Sequence, residues 1–229
     1  MRTPHCDSPG LAIGSSPRAT VFVVDDDISF LRAVSRLLRA SGHHVVACSS
    51  AMEFLAELKP DTAGCVVADL QMPGMDGMAL QAALQKAGSL LPVILLTGHG
   101  DIPTTVRAMR GGAEDFLTKR APRTELIAAV QRALARDERE RTERARLLAL
   151  RQRFEQLTDR ELEVLRHVVQ GKLNKQIAAD LGIHERTVKL HRTSITTKLR
   201  VHSVAELTRL VQEAGFGSKS DQWPVVSNQ

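Results

Sequence analysis

From residue 21 to about residue 135, short apolar runs alternate with amphipathic stretches. The runs at 21–24, 44–48, 64–68, 93–96 and 114–118 read as strands. Between them apolar residues recur at spacings of three and four, which return to one face of a helix. Ile28, Leu31, Val34, Leu37 and Leu38 form one stripe, Met52, Leu55 and Leu58 a second, and Leu80, Ala83, Leu84 and Ala87 a third. Val106 and Met109 belong to a shorter helix behind Pro103, a residue suited to a first helical turn. This alternation predicts an α/β fold, a parallel sheet with helices on both faces.

After Pro122 the strand signal stops. Leu126, Ile127 and Val130 continue a helix, and residues 132–146 are rich in Arg and Glu. Acid-to-base pairs four apart, such as Asp137/Arg141 and Glu140/Arg144, support an exposed helix. A charged helical linker is therefore expected over 132–154. Leu147, Leu150, Phe154 and Leu157 either form a seam for a partner helix or sit in a plain solvated connector; the pattern leaves both open. From Leu157 the pattern is all helical. Thr158 with Glu161, and Ser203 with Glu206, have capping-box spacing. Gly171, Gly182 and Gly215 stand where helices should stop. Four helices follow, near 159–170, 174–181, 185–199 and 203–214. The expected division is a disordered extension over 1–19, an α/β domain over 20–131, the linker, a small four-helix domain over 155–215 and a disordered tail over 216–229.

Composition narrows the class. The chain has 229 residues, 43% hydrophobic, with no apolar run near the ~18 residues that span a bilayer. No membrane role is expected, and the proline- and glycine-bearing N-terminus makes a poor signal peptide. Cys6, Cys48 and Cys65 are too few and too scattered for a disulfide framework or a zinc site, and a reducing cytoplasm fits. The net charge of +5 is unevenly spread. Residues 21–130 carry 10 basic and 12 acidic side chains, and residues 151–215 carry 12 and 8. Different partners for the two halves follow, with nucleic acid compatible with the second.

Candidate chemistry gathers at strand ends, where open α/β sheets hold their sites. The first strand runs into Asp25, Asp26 and Asp27, the third into Asp69 and a proline-glycine turn, the fourth into Thr97, the fifth into Lys119. Carboxylates become phosphoryl acceptors when a cation neutralises both the acid and the phosphate. Asp26 and Asp69 suit direct Mg²⁺ coordination, Asp25 an outer place, and the Gln71 carbonyl a neutral oxygen. Lys119 offers a positive charge to phosphoryl oxygens, Thr97 a hydroxyl at the same edge, and Gly98 room for the group. In the second domain, residues 174–199 read as helix, turn, helix, with Ala178 and Ala179 small enough for close packing. Val188, Ile195 and Leu199 should face the core. Arg186, Leu190, Thr193 and Thr197 lie opposite, with Lys189 beside them. Leu190 on a polar face makes sense against thymine methyl groups, and Lys189 against guanine edges or phosphates. A protein-interaction module with a merely basic helix is the other reading.

Residues 20–135 resemble a CheY-like receiver domain of a two-component response regulator. The matching residues are Val23-Val24-Asp25-Asp26-Asp27, Asp69 with Met72-Pro73-Gly74-Met75-Asp76-Gly77, Thr97-Gly98-His99-Gly100, and Asp115-Phe116-Leu117-Thr118-Lys119. Leu157-Thr158-Asp159-Arg160-Glu161, Asn174-Lys175-Gln176-Ile177-Ala178 and Thr187-Val188-Lys189-Leu190-His191-Arg192 resemble the LuxR-type helix-turn-helix. Together they place the chain with the NarL/FixJ class, closest to the FixJ side.

The resemblance implies a doubly wound five-stranded sheet ordered 2-1-3-4-5 and Mg²⁺-dependent transfer of a phosphoryl group to Asp69 from a sensor histidine kinase. It implies a Thr97/Phe116 switch, pairing with a second copy through helix 4, strand 5 and helix 5, and double-stranded DNA as the target. Lys189, Leu190 and Thr193 would then face bases, while Asn174, Lys175, Thr187 and His191 meet phosphates or orient the helix. RNA polymerase is a further candidate partner, and the only chemistry is self-phosphorylation with slow self-dephosphorylation. One departure stands out. The family carries Lys-Pro with a cis peptide where this chain has Lys119-Arg120-Ala121-Pro122. A cis bond costs about 2.5–4 kcal/mol before arginine, against roughly 0.5–1 before proline. The loop is therefore expected to take another path, with Arg120 solvated. The alternative this motivates is a DNA-binding regulator that works without phosphorylation. A phosphohydrolase is disfavoured, because Gln71 stands where such enzymes carry a second aspartate.

Overall fold

A computed structural model describes residues 19–98 and 101–216. The expected terminal disordered segments lie almost wholly outside these residues, as do His99 and Gly100. The chain forms two compact units, the first closing at Arg141 and the second opening at Thr142.

In the first unit, β1 (Thr20–Val24), β2 (His44–Cys48), β3 (Gly64–Asp69), β4 (Val93–Thr97) and β5 (Asp115–Thr118) alternate with α1 (Ile28–Ala40), α2 (Ala51–Glu57), α3 (Gly77–Lys86), α4 (Ile102–Arg110) and α5 (Arg123–Glu155). All strand pairs are parallel, in the order β2-β1-β3-β4-β5. Side chains alternate across a strand, so each strand feeds two cores. Phe22, Val24, Val66, Ala68 and Leu95 join Phe54, Leu80 and Leu84 on one face. Val21, Val23, Val67, Ile94 and Leu96 join Leu31, Leu38 and Val130 on the other. Strands covered on both faces read as continuous apolar runs, which explains the sequence signal.

Three helical expectations are corrected. In α2 the inward residues are Ala51 and Phe54, and Phe54 meets the Phe22 ring edge-on at 5.1 Å between centroids. Met52 is 64% exposed, because three-residue spacing drifts around a helix that needs 3.6. In α3, Leu80 and Leu84 are buried but Ala87 is exposed at the helix end. In α1, Ile28 is exposed in the first turn.

The charged stretch of α5 is helical and mostly exposed, as expected, but it is not exposed throughout. Asp137 is buried, accepts the Gly64 amide at 2.8 Å and holds Arg141 Nε with both oxygens. Arg141 in turn donates to the carbonyls of Asp61 and Thr62. Glu140 pairs with Arg136 at 2.7 Å, and Arg136 also reaches Glu114 at 2.8 Å. At the other end of α5, Leu150 and Phe154, with Leu157 just beyond it, are buried in the core of the second unit. Neither a partner seam nor a bare connector describes them.

The second unit adds α6 (Asp159–Val169), α7 (Asn174–Leu181), α8 (Glu185–Leu199) and α9 (Val204–Glu213). Thr158 and Glu161 form the expected capping box. The second box is only half formed: Ser203 caps the Glu206 amide, while the Glu206 carboxylate takes the His202 amide. Gly182 stops α7 with φ +63°. Among the described residues no helix is long and apolar enough to cross a membrane.

Candidate functional site

Strand register assembles the first site. Val24 pairs with Ala68, so Asp25 and Asp69, each the next residue, end adjacent strands side by side. Asp69 pairs with Leu96 and Thr97 pairs with Thr118, which brings Lys119 to the same edge. Asp25, Asp69 and Thr97 are all buried there, and Asp26 is exposed. Asp27 turns away and caps α1 by accepting the amides of Ser29 and Phe30. Gly77 is required at the start of α3, because a Cβ there would overlap the Asp69 carbonyl oxygen and lie 2.8 Å from a Leu95 methyl. A Cβ on Gly98 would meet nothing described within 4 Å, which leaves open space beside Thr97.

The Lys119 ammonium bridges Asp25 at 2.7 Å and Asp69 at 3.0 Å. It also lies 4.6 Å above the Phe30 ring, a cation–π contact absent from the sequence reading. Burial works against the charge of Lys119, but hydrogen bonds to Asp25 and Asp69 outweigh it and raise its pKa. Burial pushes the Asp25 carboxyl upward, with Lys119 and the Asp27 amide pulling back. Asp25, Asp26 and Asp69 each offer an oxygen within 4.8 Å of the others. Three converging carboxylates are a hard-oxygen donor set of the kind Mg²⁺ takes. Gln71 approaches through its amide, which donates to Asp69 at 3.3 Å. Beside the cluster, a cleft is lined by Asp26, Gln71, Asp76, Asp101 and Arg107.

The altered Lys-Arg junction does not displace Lys119. Its amide donates to Thr97 O at 2.7 Å, Ala121 N donates to Thr118 O at 2.9 Å, and Arg120 is exposed. No described peptide bond is cis. Phe116 is half-buried and packs against the core that holds Phe54 and Leu80.

In the second unit, Val188, Ile195 and Leu199 of α8 are buried, and Arg186, Lys189, Leu190, Thr193 and Thr197 are exposed. Leu190 is 64% exposed. Thr187 and His191 are half-buried at the margin of this face. Asn174 and Lys175 open α7, half-buried and exposed respectively. Ala178 packs into the core, but Ala179 is exposed, so only the first serves close packing. Asp27, Ser50, Asp76, Asp101, Thr158 and Ser203 cap their helices with side chains; α7 and α8 have Leu173 and His184 at that place and no side-chain cap. The Thr187 amide in the first turn of α8 donates to His184 O at 2.9 Å, and the uncapped first-turn amides suit an outside anion.

Two ties escaped the sequence reading. Glu161 completes its capping box and also accepts Ser194 Oγ at 2.6 Å and Lys198 Nζ at 2.7 Å, fastening α6 to α8. Burial opposes its charge, but Lys198, Ser194 and Thr158 hold its pKa down to about 2. Arg192 donates to Asn174 Oδ1 at 3.0 Å, joining α8 to α7. Local patterns cannot show either tie, since the partners lie 18 to 37 residues apart.

Comparison with known proteins assigns a family to each unit. Residues 21–131 match the response regulator receiver domain, and residues 155–211 match bacterial regulatory proteins of the luxR family. Nodulation protein W of Bradyrhizobium diazoefficiens is 43% identical over 204 residues, covering 89% of this chain and 90% of that protein. Transcriptional regulatory protein FixJ of Azorhizobium caulinodans is 41% identical, covering 89% and 97%. Among solved structures, the response regulator StyR matches with a TM-score of 0.79 and 43% identity, covering 86% of this chain and 99% of that one. Full-length FixJ from B. japonicum matches with a TM-score of 0.54 and 34% identity, covering 87% and 98%. With a receiver match on one unit and a luxR-family match on the other, the chain belongs to the NarL/FixJ-type response regulators, transcriptional regulators that join a receiver to a LuxR-type DNA-binding domain.

Proposed function

We propose that this regulator is switched by phosphorylation of Asp69. The observation that carries the reading is the Lys119 ammonium held at 3.0 Å from Asp69 and 2.7 Å from Asp25, beside the cluster of three carboxylates. A carboxylate oxygen of Asp69 attacks the phosphorus of a phosphohistidine on a sensor kinase. The P–O bond forms as the P–N bond breaks, and the histidine leaves with the electron pair. Asp25, Asp26 and Asp69, with the Gln71 carbonyl, are the groups that would hold Mg²⁺, which when bound neutralises the negative charge gathered on carboxylate and phosphoryl oxygens. Lys119 exchanges its Asp69 contact for a phosphoryl oxygen.

Thr97 and Phe116 then carry the change outward. The Thr97 hydroxyl moves toward the phosphoryl group and the half-buried Phe116 ring follows into the space released. The face of α4, β5 and α5 remodels and pairs with a second copy, which sets two recognition helices on neighbouring DNA half-sites. Exposed Ile102, Val106 and Met109 on α4 support this pairing. Lys189, Leu190 and Thr193 read base edges, while Asn174, Lys175, Thr187 and His191 hold the backbone or orient the helix.

The test is mass and sedimentation of the full chain with Mg²⁺ and acetyl phosphate, beside Asp69→Asn. One added phosphoryl group, absent from the variant and accompanied by dimerisation, is expected. A chain that stays unmodified even with a cognate kinase, yet binds operator DNA as tightly as Asp69→Asn, would instead be a phosphorylation-independent regulator.

A further inference from the structure

Arg192 lies on the recognition helix but does not share the face of Leu190 and Thr193. It stands one turn after the buried Val188, so its stem follows the side of α8 that packs on α7. Its guanidinium ends at Asn174, the first residue of α7, with Nη1 donating to Oδ1 at 3.0 Å. Arginine has donors and no acceptor, so it selects the orientation of the amide. The Asn174 oxygen must face Arg192, and its NH₂ group must point elsewhere. No group among the described residues accepts from that NH₂.

The surroundings of the NH₂ group suit an anion. The helix begins there without a side-chain cap: the Leu173 side chain is apolar, its carbonyl takes the Ile177 amide, and the Gln176 side-chain oxygen is engaged by the Leu173 amide at 2.8 Å. Lys175 next in the chain is exposed. A donor-only amide face, open first-turn amides and a lysine match the acceptor-only oxygens of a DNA phosphate. We propose that Arg192 is a positioning residue for the DNA backbone contact: it locks Asn174 so that the NH₂ of its amide is always presented to a phosphate. This rests on the DNA-binding reading and adds a residue that touches neither base nor phosphate.

The experiment titrates the full chain with a mixed-sequence DNA duplex by fluorescence anisotropy at several salt concentrations. Asn174→Ala and Arg192→Met should each weaken binding about fivefold, the worth of one hydrogen bond. The double variant should be no weaker than either alone, and the salt slope should stay unchanged, because no charged group leaves the phosphate. Arg192→Lys, still a pure donor, should retain most of the binding. Asn174→Asp keeps the latch but presents an acceptor, and should bind more weakly than Asn174→Ala. Additive losses would overturn the proposal. So would a salt slope lowered by about one in Arg192→Met, which would place Arg192 on a phosphate. A parallel fall in melting temperature and binding, not recovered by Arg192→Lys, would reduce Arg192 to a structural tie and also overturn it. A wild-type chain that binds no duplex would overturn the DNA-binding reading itself.

Discussion

Glu161 and Lys198 meet at 2.7 Å, so that the first turn of α6 is bound to the last turn of α8. The carboxylate is 6% exposed in its side chain and the ammonium 33%. With Ser194 and Thr158 as further donors, one acid fixes where α8 sits on its support.

A pH dependence follows. The folded pKa of Glu161, about 2, lies below the ordinary value of 4.5. A depressed pKa contributes stability that is fully present above the unfolded value and is lost as pH falls through the folded one. The window is therefore between about pH 4.5 and pH 2, and the difference corresponds to about 3 kcal/mol. Urea unfolding at pH 7 and pH 3, followed through the helical signal of the second unit, should show this loss in the wild type. Glu161→Gln should be less stable at pH 7 and lose less between the two pH values.

Asp137→Ala should destabilise the receiver by about 3 kcal/mol, because it leaves Arg141 and the Gly64 amide without their buried partner. Gly64→Ala should cost roughly 2–5 kcal/mol, since Gly64 has φ +142° and a Cβ would overlap the Thr20 carbonyl oxygen. Denaturant unfolding of the full chain checks both.

Lys119→Met should separate cation binding from phosphoryl transfer. Removing the ammonium leaves three clustered carboxylates without a counter-charge, so Mg²⁺ affinity should hold or rise. Phosphorylation by acetyl phosphate should fall by about 10²-fold or more, on the scale of losing one charged group that stabilises a transition state. A Mg²⁺ titration beside a phosphorylation time course tests this; parallel losses would contradict it.

Leu190→Ala should weaken preference for the regulator's own operator while leaving the salt slope unchanged, because a methyl contact releases no counterion. Lys189→Ala should lower the slope by about one if its ammonium meets a phosphate. Anisotropy titrations against operator and mixed duplex across salt distinguish the two.

The strands, their parallel pairing and the edge where Asp25, Asp69, Thr97 and Lys119 meet were legible because each strand carries its chemistry as the next residue after an apolar run. The helical face of α8 was legible from Val188, Ile195 and Leu199 for a similar local reason. Met52 was misread because its spacing suits a helix but its angle does not. Asp137 and Arg141 were misread because i,i+4 spacing fits a solvated pair and a buried clamp alike. Phe30 under Lys119, Glu161 on Lys198 and Arg192 on Asn174 depend on how elements pack, which no local pattern encodes.

The clamp at Asp137 also bears on how hybrid regulators should be built. A cut at residue 131, where the receiver-domain match ends, would leave Gly64, Asp61 and Thr62 in one parent and their partners Asp137 and Arg141 in the other. A graft joined after Arg141 carries acceptor strand and anchor together. Since β3 has Gly64 at one end and Asp69 at the other, a receiver exchanged at that later point brings the Asp69 edge and the helix anchored behind it as a matched pair.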